Sequence, residues 1–118
     1  MNTHRPITLA TRASLLKSIQ RCREQTTAGK GTKADKARSM REWDRTETSL
    51  WATPISDPAS TLQDHYDDAE MRVRRLRELL TAANDADYMA TAYAYQAAVE
   101  DFVRLSNDVK ANSAEAAS

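Results

Sequence analysis

The sequence contains few of the residues that form turns and disulfides. Its 118 residues include two glycines, three prolines and one cysteine, Cys22. Sandwiches and barrels need many turns, so this scarcity of glycine and proline argues against an all-β fold. A single cysteine excludes an internal disulfide framework and any metal cluster held by cysteines alone. A small helical protein is therefore expected.

Large apolar side chains are also scarce, although 41% of the residues are hydrophobic. Alanine supplies 20 of the hydrophobic residues, whereas Leu, Ile, Val and Phe together number 17 of 118. That share lies below the rough 20% floor of globular chains, but a low share indicates disorder only when net charge is high. Here 17 basic residues balance 17 acidic ones. We expect thin, alanine-rich helical packing rather than the core of a large sheet-based enzyme.

Long apolar runs are absent. No stretch approaches the roughly 18 to 20 apolar residues of a membrane span, and the first 13 residues lack the shorter run of a signal peptide. We therefore expect a soluble, cytoplasmic protein with no membrane partner. Two histidines and one cysteine form no catalytic grouping, so no enzyme activity, metal, cofactor or small-molecule substrate is predicted.

Charge divides the chain into two dissimilar parts. The first 56 residues contain 11 basic and 5 acidic residues, whereas the remainder contains 6 and 12. Pro54 and Pro58 bracket the change, and proline disfavours helix at the residue before it, so a linker is predicted here. Three regions follow: a basic N-terminal region with two short helices (1–56), a helical hairpin (57–111) and a flexible tail (112–118).

Two apolar series in the second region repeat with alternating spacings of four and three residues, which is the heptad pattern of packed helices. We predict that the first of these helices starts at Asp57 and Pro58, because a carboxylate caps the first turn and proline suits the first position. A short polar loop separates the series and predicts an antiparallel, coiled-coil-like hairpin. The predicted seam consists of Leu62, Tyr66, Ala69, Val73, Leu76, Leu80, Tyr88, Ala92, Tyr95, Val99, Phe102 and Val109.

Folding the chain at that loop sets large side chains against small ones, for example Phe102 against Ala69. Ion pairs four residues apart within one helix, such as Asp68 with Arg72, are expected at exposed positions. The arginines between residues 72 and 77 are expected to spread around a solvated outer surface.

The first region predicts two weaker helices, over about residues 9–25 and 32–51. Both glycines of the chain lie between them and break the helical pattern. Thr32 followed by Asp35 has the spacing of a capping box, with Asp in place of the usual Glu. The apolar line of the second helix is thin, and Glu47 interrupts it.

A basic stripe with two nearby tryptophans marks this second helix and the turn before it. Cationic side chains bind phosphates, and tryptophan stacks on bases or anchors protein interfaces. Two interpretations stay open: contact with nucleic acid, or packing of the cationic face on the acidic half of the same or another chain. The candidate contact residues are Lys30, Lys33, Lys36, Arg38, Arg41, Arg45, Trp43 and Trp51.

The predicted fold class is all-α, with a C-terminal antiparallel hairpin and two shorter N-terminal helices, in a four-helix arrangement or a dimeric bundle. Leu79, Met89, Val103 and Leu105 flank the seam and need cover from the N-terminal half or from a second copy. The predicted function is protein–protein interaction, as an adaptor, chaperone, assembly factor or inhibitor that self-associates. The alternative is a nucleic-acid-binding regulator that uses residues 30–45, with the hairpin as its dimerisation element.

Overall fold

Four helices make up the part of the chain that the computed structural model describes, residues 7–117, so the all-α prediction is confirmed. Their bounds are α1, Leu9–Ala28; α2, Lys33–Ala52; α3, Leu62–Ala82; and α4, Asp85–Ala117.

Each helix begins beside a polar side chain that caps its first turn. The hydroxyls of Thr8, Thr32 and Thr61 each accept a hydrogen bond from the backbone N–H three residues later. The amide oxygen of Asn84 does the same at the start of α4, at 3.0 Å. At Thr61 the cap is reciprocal, because Asp64 accepts from the Thr61 N–H at 3.0 Å. Local spacing therefore sets where the helices begin.

The start of α3 differs from the prediction at Asp57 and Pro58. The Asp57 carboxylate accepts from the Ala59 N–H at 3.0 Å, and the Ser60 N–H donates to the Asp57 carbonyl at 2.9 Å. These bonds close a tight turn instead of opening a helix, since aspartate favours both structures. The helix starts after this turn, at Leu62.

The helices form two antiparallel pairs that meet on one side only. α1 runs along α2, α3 runs along α4, and α2 lies across one side of the α3–α4 pair. α1 packs along α2 and reaches α3 only through side chains. Between α1 and α2 the chain turns at Gly31, whose φ of 151° is accessible to glycine and strained for other residues.

The molecule is elongated, with principal extents of 63 × 31 × 27 Å. α4 has 33 residues and α3 has 21, which at a rise of 1.5 Å per residue makes α4 about 18 Å longer. The helix continues through residues 112–117, within the segment predicted to be a flexible tail. That prediction of flexibility stays a prediction.

The core lies where α2 meets the α3–α4 pair. Trp51 of α2 packs there with Leu76 and Leu79 of α3 and with Ala94 and Ala98 of α4. The alanines let α4 approach closely, so a few large side chains fill the space. α2 therefore supplies the cover that the sequence demanded for Leu79.

Enlarging Ala98 tests this close approach. Ala98 is fully buried, whereas its neighbour Ala97 is exposed. We expect Ala98→Leu to lower the free energy of unfolding by about 1 to 3 kcal/mol because the core has no room for the added carbons. Ala97→Leu makes the same substitution at the surface. It is expected to change the free energy of unfolding, measured by urea denaturation, by less than about 0.5 kcal/mol. Equal effects of the two variants would contradict this packing.

Candidate functional site

Two buried arginines meet at the C-terminal end of α2. Arg12 of α1 is 2% exposed and Arg72 of α3 is 1% exposed. Both guanidinium groups donate to backbone carbonyls in the last turn of α2 and just after it. Arg12 donates to Leu50 (3.2 Å) and Thr53, and Arg72 donates to Trp51 (2.6 Å) and Ala52 (3.2 Å).

These contacts supply the hydrogen-bond donors that the C-terminal carbonyls of an α-helix lack. The last four carbonyls of an α-helix have no partner within the helix, and the helix dipole concentrates negative charge there. A guanidinium carries up to five N–H donors and a permanent positive charge. Arg12 and Arg72 therefore satisfy the exposed carbonyls and also complement the dipole of α2.

Carboxylates from two other positions neutralise the arginines. Asp68 of α3 pairs with Arg12, and its second oxygen accepts from the Ile55 N–H at 3.4 Å. Asp101 of α4 pairs with Arg72 at 3.0 Å. Burial lowers the pKa of Arg12, and Asp68 opposes that shift by stabilising the charged form. The cluster thus links all four helices.

This arrangement corrects the prediction of an exposed Asp68–Arg72 pair and, at Arg72, that of a solvated arginine run, whose members Arg74 and Arg77 are exposed as predicted. Asp68 and Arg72 are both buried, and each pairs with a different helix. One signal in the sequence does indicate their burial: Asp68 and Arg72 lie four residues apart on the same side of α3 as Leu76 and Leu79. They continue the apolar face that contacts α2.

Glu47 forms a second buried polar cluster, which joins α2 to α1 and α3. Its carboxylate accepts from Trp51 at 2.8 Å, from Arg23 of α1 at 2.6 Å and from two nitrogens of Arg75 of α3, one of them at 2.8 Å. Burial raises the pKa of Glu47, but these hydrogen bonds outweigh it and lower the pKa to about 2. The residue that interrupts the apolar line of α2 is therefore a junction of three helices.

The cluster around Arg12 and Arg72 and the cluster around Glu47 both have a structural role. Among the described residues, no buried side-chain nitrogen or oxygen lacks a hydrogen-bond partner. A ligand would have to displace an existing bond to reach these charges, and an unpaired buried charge is unfavourable. Candidate surfaces for function must therefore lie elsewhere.

Some cations of the basic stripe are exposed without an ion pair, and others bond to another part of the protein. Lys30, Lys33 and Arg41 are exposed and make no ion pair within residues 7–117. Arg38 pairs with Asp35 at 3.3 Å. Lys30 and Lys33 lie at the start of α2, and Arg41 lies about two turns further along the helix.

The remaining candidates of that stripe contact the protein itself. Lys36 donates to the Thr27 carbonyl at 3.2 Å, and Arg45 pairs with Asp87 of α4 at 2.6 Å.

The two tryptophans are engaged as well. Half-buried Trp43 donates to the Thr26 hydroxyl at 3.2 Å. Trp51 is a core residue, with Arg12 over its ring at 5.2 Å, and not a surface anchor as predicted. The Trp51 indole fills space in a core that has few other large side chains.

The predicted seam residues differ in burial. Ala69 and Leu76 are fully buried, whereas Tyr88 is 50% exposed, in contrast to its predicted place in the seam. Phe102 stacks its ring near that of Tyr66, at 5.3 Å between centroids, one turn from its predicted partner Ala69. The other seam residues are half-buried: Leu62, Tyr66, Val73, Leu80, Ala92, Tyr95, Val99, Phe102 and Val109.

Partial burial of the seam has a geometric cause. α3 directs Arg72 and Leu79 towards α2, and the next residues, Val73 and Leu80, lie about 100° further around the helix. α4 follows the same rule, so its seam residues also turn away from α2. We call this uncovered side of the α3–α4 pair the open face. It consists of Tyr66, Glu70, Val73, Arg77 and Leu80 of α3 and Tyr88, Ala92, Tyr95, Val99 and Phe102 of α4. Val73 and Tyr95 are half-buried and also pack against the core.

The exposed apolar surface extends from the open face along α4. Residues 88–99 contain no charged side chain, although a solvated helix face normally carries several. Met89, Tyr93 and Val103 are exposed beside Tyr88. No other described helix packs against this side of α4, so these shoulder residues lack the cover that the sequence called for.

Comparisons with protein-family models, curated proteins and solved structures find no match to this chain. Among the described residues, no helix combines the length and the apolar character that a bilayer crossing requires.

Removing one buried arginine tests its role at the end of α2. Arg72→Met leaves two carbonyls without their donor and leaves Asp101 with exposed Arg104 as its ion-pair partner, so we expect unfolding free energy to fall by about 3 to 5 kcal/mol. Arg74→Met removes the same charge from a side chain that is 68% exposed, and a loss below about 0.5 kcal/mol is expected. Urea denaturation measures both values. Similar losses would show that the buried contacts add nothing.

The lowered pKa of Glu47 predicts a pH dependence of stability. Because its folded-state pKa is about 2 and its ordinary value is 4.5, the carboxylate stabilises the fold fully above pH 4.5. That contribution, about 3 kcal/mol, is lost as the pH falls from 4.5 towards 2. Glu47→Gln should therefore flatten this part of the stability curve, whereas Glu42→Gln, at an exposed position, should leave it unchanged. Parallel curves for wild type and Glu47→Gln would refute the assignment.

Proposed function

We propose that this protein acts by protein–protein interaction through the open face, as an adaptor, chaperone, assembly factor or inhibitor, and that it catalyses no reaction. The observation that carries the proposal is the outer side of the uncharged stretch of α4, residues 88–99, where Tyr88, Met89 and Tyr93 are exposed. Contiguous exposed apolar surface on a soluble protein marks an interaction site more often than not.

The composition of the open face supports this role. Tyr66, Tyr88 and Tyr95 contribute three of the four tyrosines of the chain, and tyrosine is enriched at protein interfaces because it combines an apolar ring with a hydrogen-bonding hydroxyl. Glu70 and Arg77 lie beside the apolar residues that α3 contributes to the open face. An apolar centre with a charged edge is the usual anatomy of an interface.

The location on two packed helices also supports it. Rigid elements present a surface at little cost in conformational entropy, and an α-helical pair offers side chains at fixed heptad spacing. A second helical element with apolar residues at the same spacing could pack on this face as a further layer of a bundle.

A nucleic-acid-binding regulator is the second candidate. Exposed Lys30, Lys33 and Arg41 favour it, because cations without an ion pair attract phosphates. The engagement of Trp43 and Trp51 within the protein removes base stacking from this candidate. Phosphate contacts alone would then supply its affinity.

Site-specific photocrosslinking in the cells that produce the protein tests the proposed function. A benzophenone side chain replaces Tyr88 on the open face, and in a matched variant it replaces Ser14, which is exposed on α1. We expect discrete adducts at position 88 and none at position 14, with mass spectrometry identifying the crosslinked peptide. No adduct at position 88, or the same adducts at both positions, would refute the proposed function.

A further inference from the structure

The open face has the arrangement that a two-fold symmetric contact requires. In a two-fold dimer the same patch meets itself, so each residue on one side of the axis must suit the residue equally far on the other side. Heptad spacing by itself places apolar residues seven positions on either side of a centre, so the charged and small residues between them decide whether the patch suits a copy of itself. The positions along α3 and α4 can therefore be compared about a common centre.

We propose that a second copy of this chain covers the open face, related by a two-fold axis that crosses α3 at Val73 and α4 at Tyr95. α3 then packs antiparallel to α3 of the other copy, and α4 packs antiparallel to its counterpart. The two chains form a four-helix bundle in which both α2 helices lie outside. This inference rests on the proposed function and names the partner.

Both centres lie at one level of the molecule, which a single axis demands. The Tyr66 and Phe102 rings are 5.3 Å apart, so these residues are level with each other on antiparallel helices. Val73 follows Tyr66 by seven residues, and Tyr95 precedes Phe102 by seven. Equal steps in opposite chain directions keep the two residues level, so one axis perpendicular to the helices can pass both.

Apolar residues match across that axis. Leu80 lies seven residues beyond Val73, as far from the centre as Tyr66 on the other side. Tyr88 and Phe102 are likewise each seven residues from Tyr95. Symmetry therefore places Tyr66 of one copy over Leu80 of the other, and Phe102 over Tyr88. The half-exposed Tyr88 ring gains an aromatic neighbour, which is a favourable pair.

Charged and small residues match as well. Glu70 lies three residues before Val73 and Arg77 lies four after it, so the axis sets Glu70 of each copy against Arg77 of the other. Within residues 7–117, Arg77 makes no ion pair, and Glu70 pairs only with exposed Arg74 at 3.0 Å. On α4, Ala92 and Val99 take the equivalent positions, a small side chain facing a larger one. The dimer therefore has two Glu70–Arg77 pairs, one on each side of its apolar centre.

Sedimentation equilibrium of the purified full chain tests the dimer and its orientation. We expect a mass of twice 13.2 kDa in the micromolar range. Arg77→Glu sets like charges against each other at two symmetric places and should raise the dimer dissociation constant about tenfold. Lys33→Glu makes the same charge change on exposed α2 and should not. The double variant Glu70→Arg/Arg77→Glu should restore wild-type affinity, which a merely destabilised fold would not do.

Disulfide trapping locates the axis independently. In a Cys22→Ala background, Val73→Cys should oxidise to a covalent dimer because the axis brings the two side chains together. Met71→Cys, exposed on another side of α3, should stay monomeric. A dimer trapped equally at both positions, or no trapping at Val73 with no effect of Arg77→Glu, would overturn this arrangement.

The outcomes separate this inference from the proposed function. A folded chain that stays monomeric while position 88 crosslinks to a different protein overturns the second copy as partner and leaves the interaction function intact. Absence of every adduct at position 88 overturns the interaction function, whatever the mass in solution.

Discussion

The capping of α2 by Arg12 and Arg72 is the contact on which the rest of the structure depends. Taking a guanidinium out of water costs several kcal/mol unless all of its donors are paired. Here the carbonyls at the end of α2, together with Asp68 and Asp101, provide those partners. Because the acceptors come from different helices, the bonds are satisfied together only when the four helices hold their observed arrangement.

This polar junction compensates for the shortage of large apolar side chains. Trp51 is the one tryptophan in the core, and it packs against alanines and two leucines of the α3–α4 pair. Glu47 ties the middle of α2 to α1 and α3. α2 lies across a single side of the pair. The open face and the uncharged surface of α4 are the direct consequence.

Local features of the sequence predicted the helices well. Thr32 with Asp35 marked the start of α2, and the heptad spacing identified the strip of α3 and α4 that lines both their contact and the open face. Asp57 was misassigned because its carboxylate suits a turn as well as a helix cap, and the backbone beyond it decides between them. The charge-free run of α4 was visible in the sequence, but its exposure was not.

The sequence by itself determined the fold class, the starts of α1 and α2 and the apolar faces, since these follow from interactions between residues three or four apart. Only the tertiary structure decided which charges are buried. Asp68 and Arg72 have the spacing of a surface ion pair, and Glu47 that of a flaw in an apolar line. Their ion-pair partners lie 24 to 56 residues away, and such long-range pairing leaves no periodic signal along the chain.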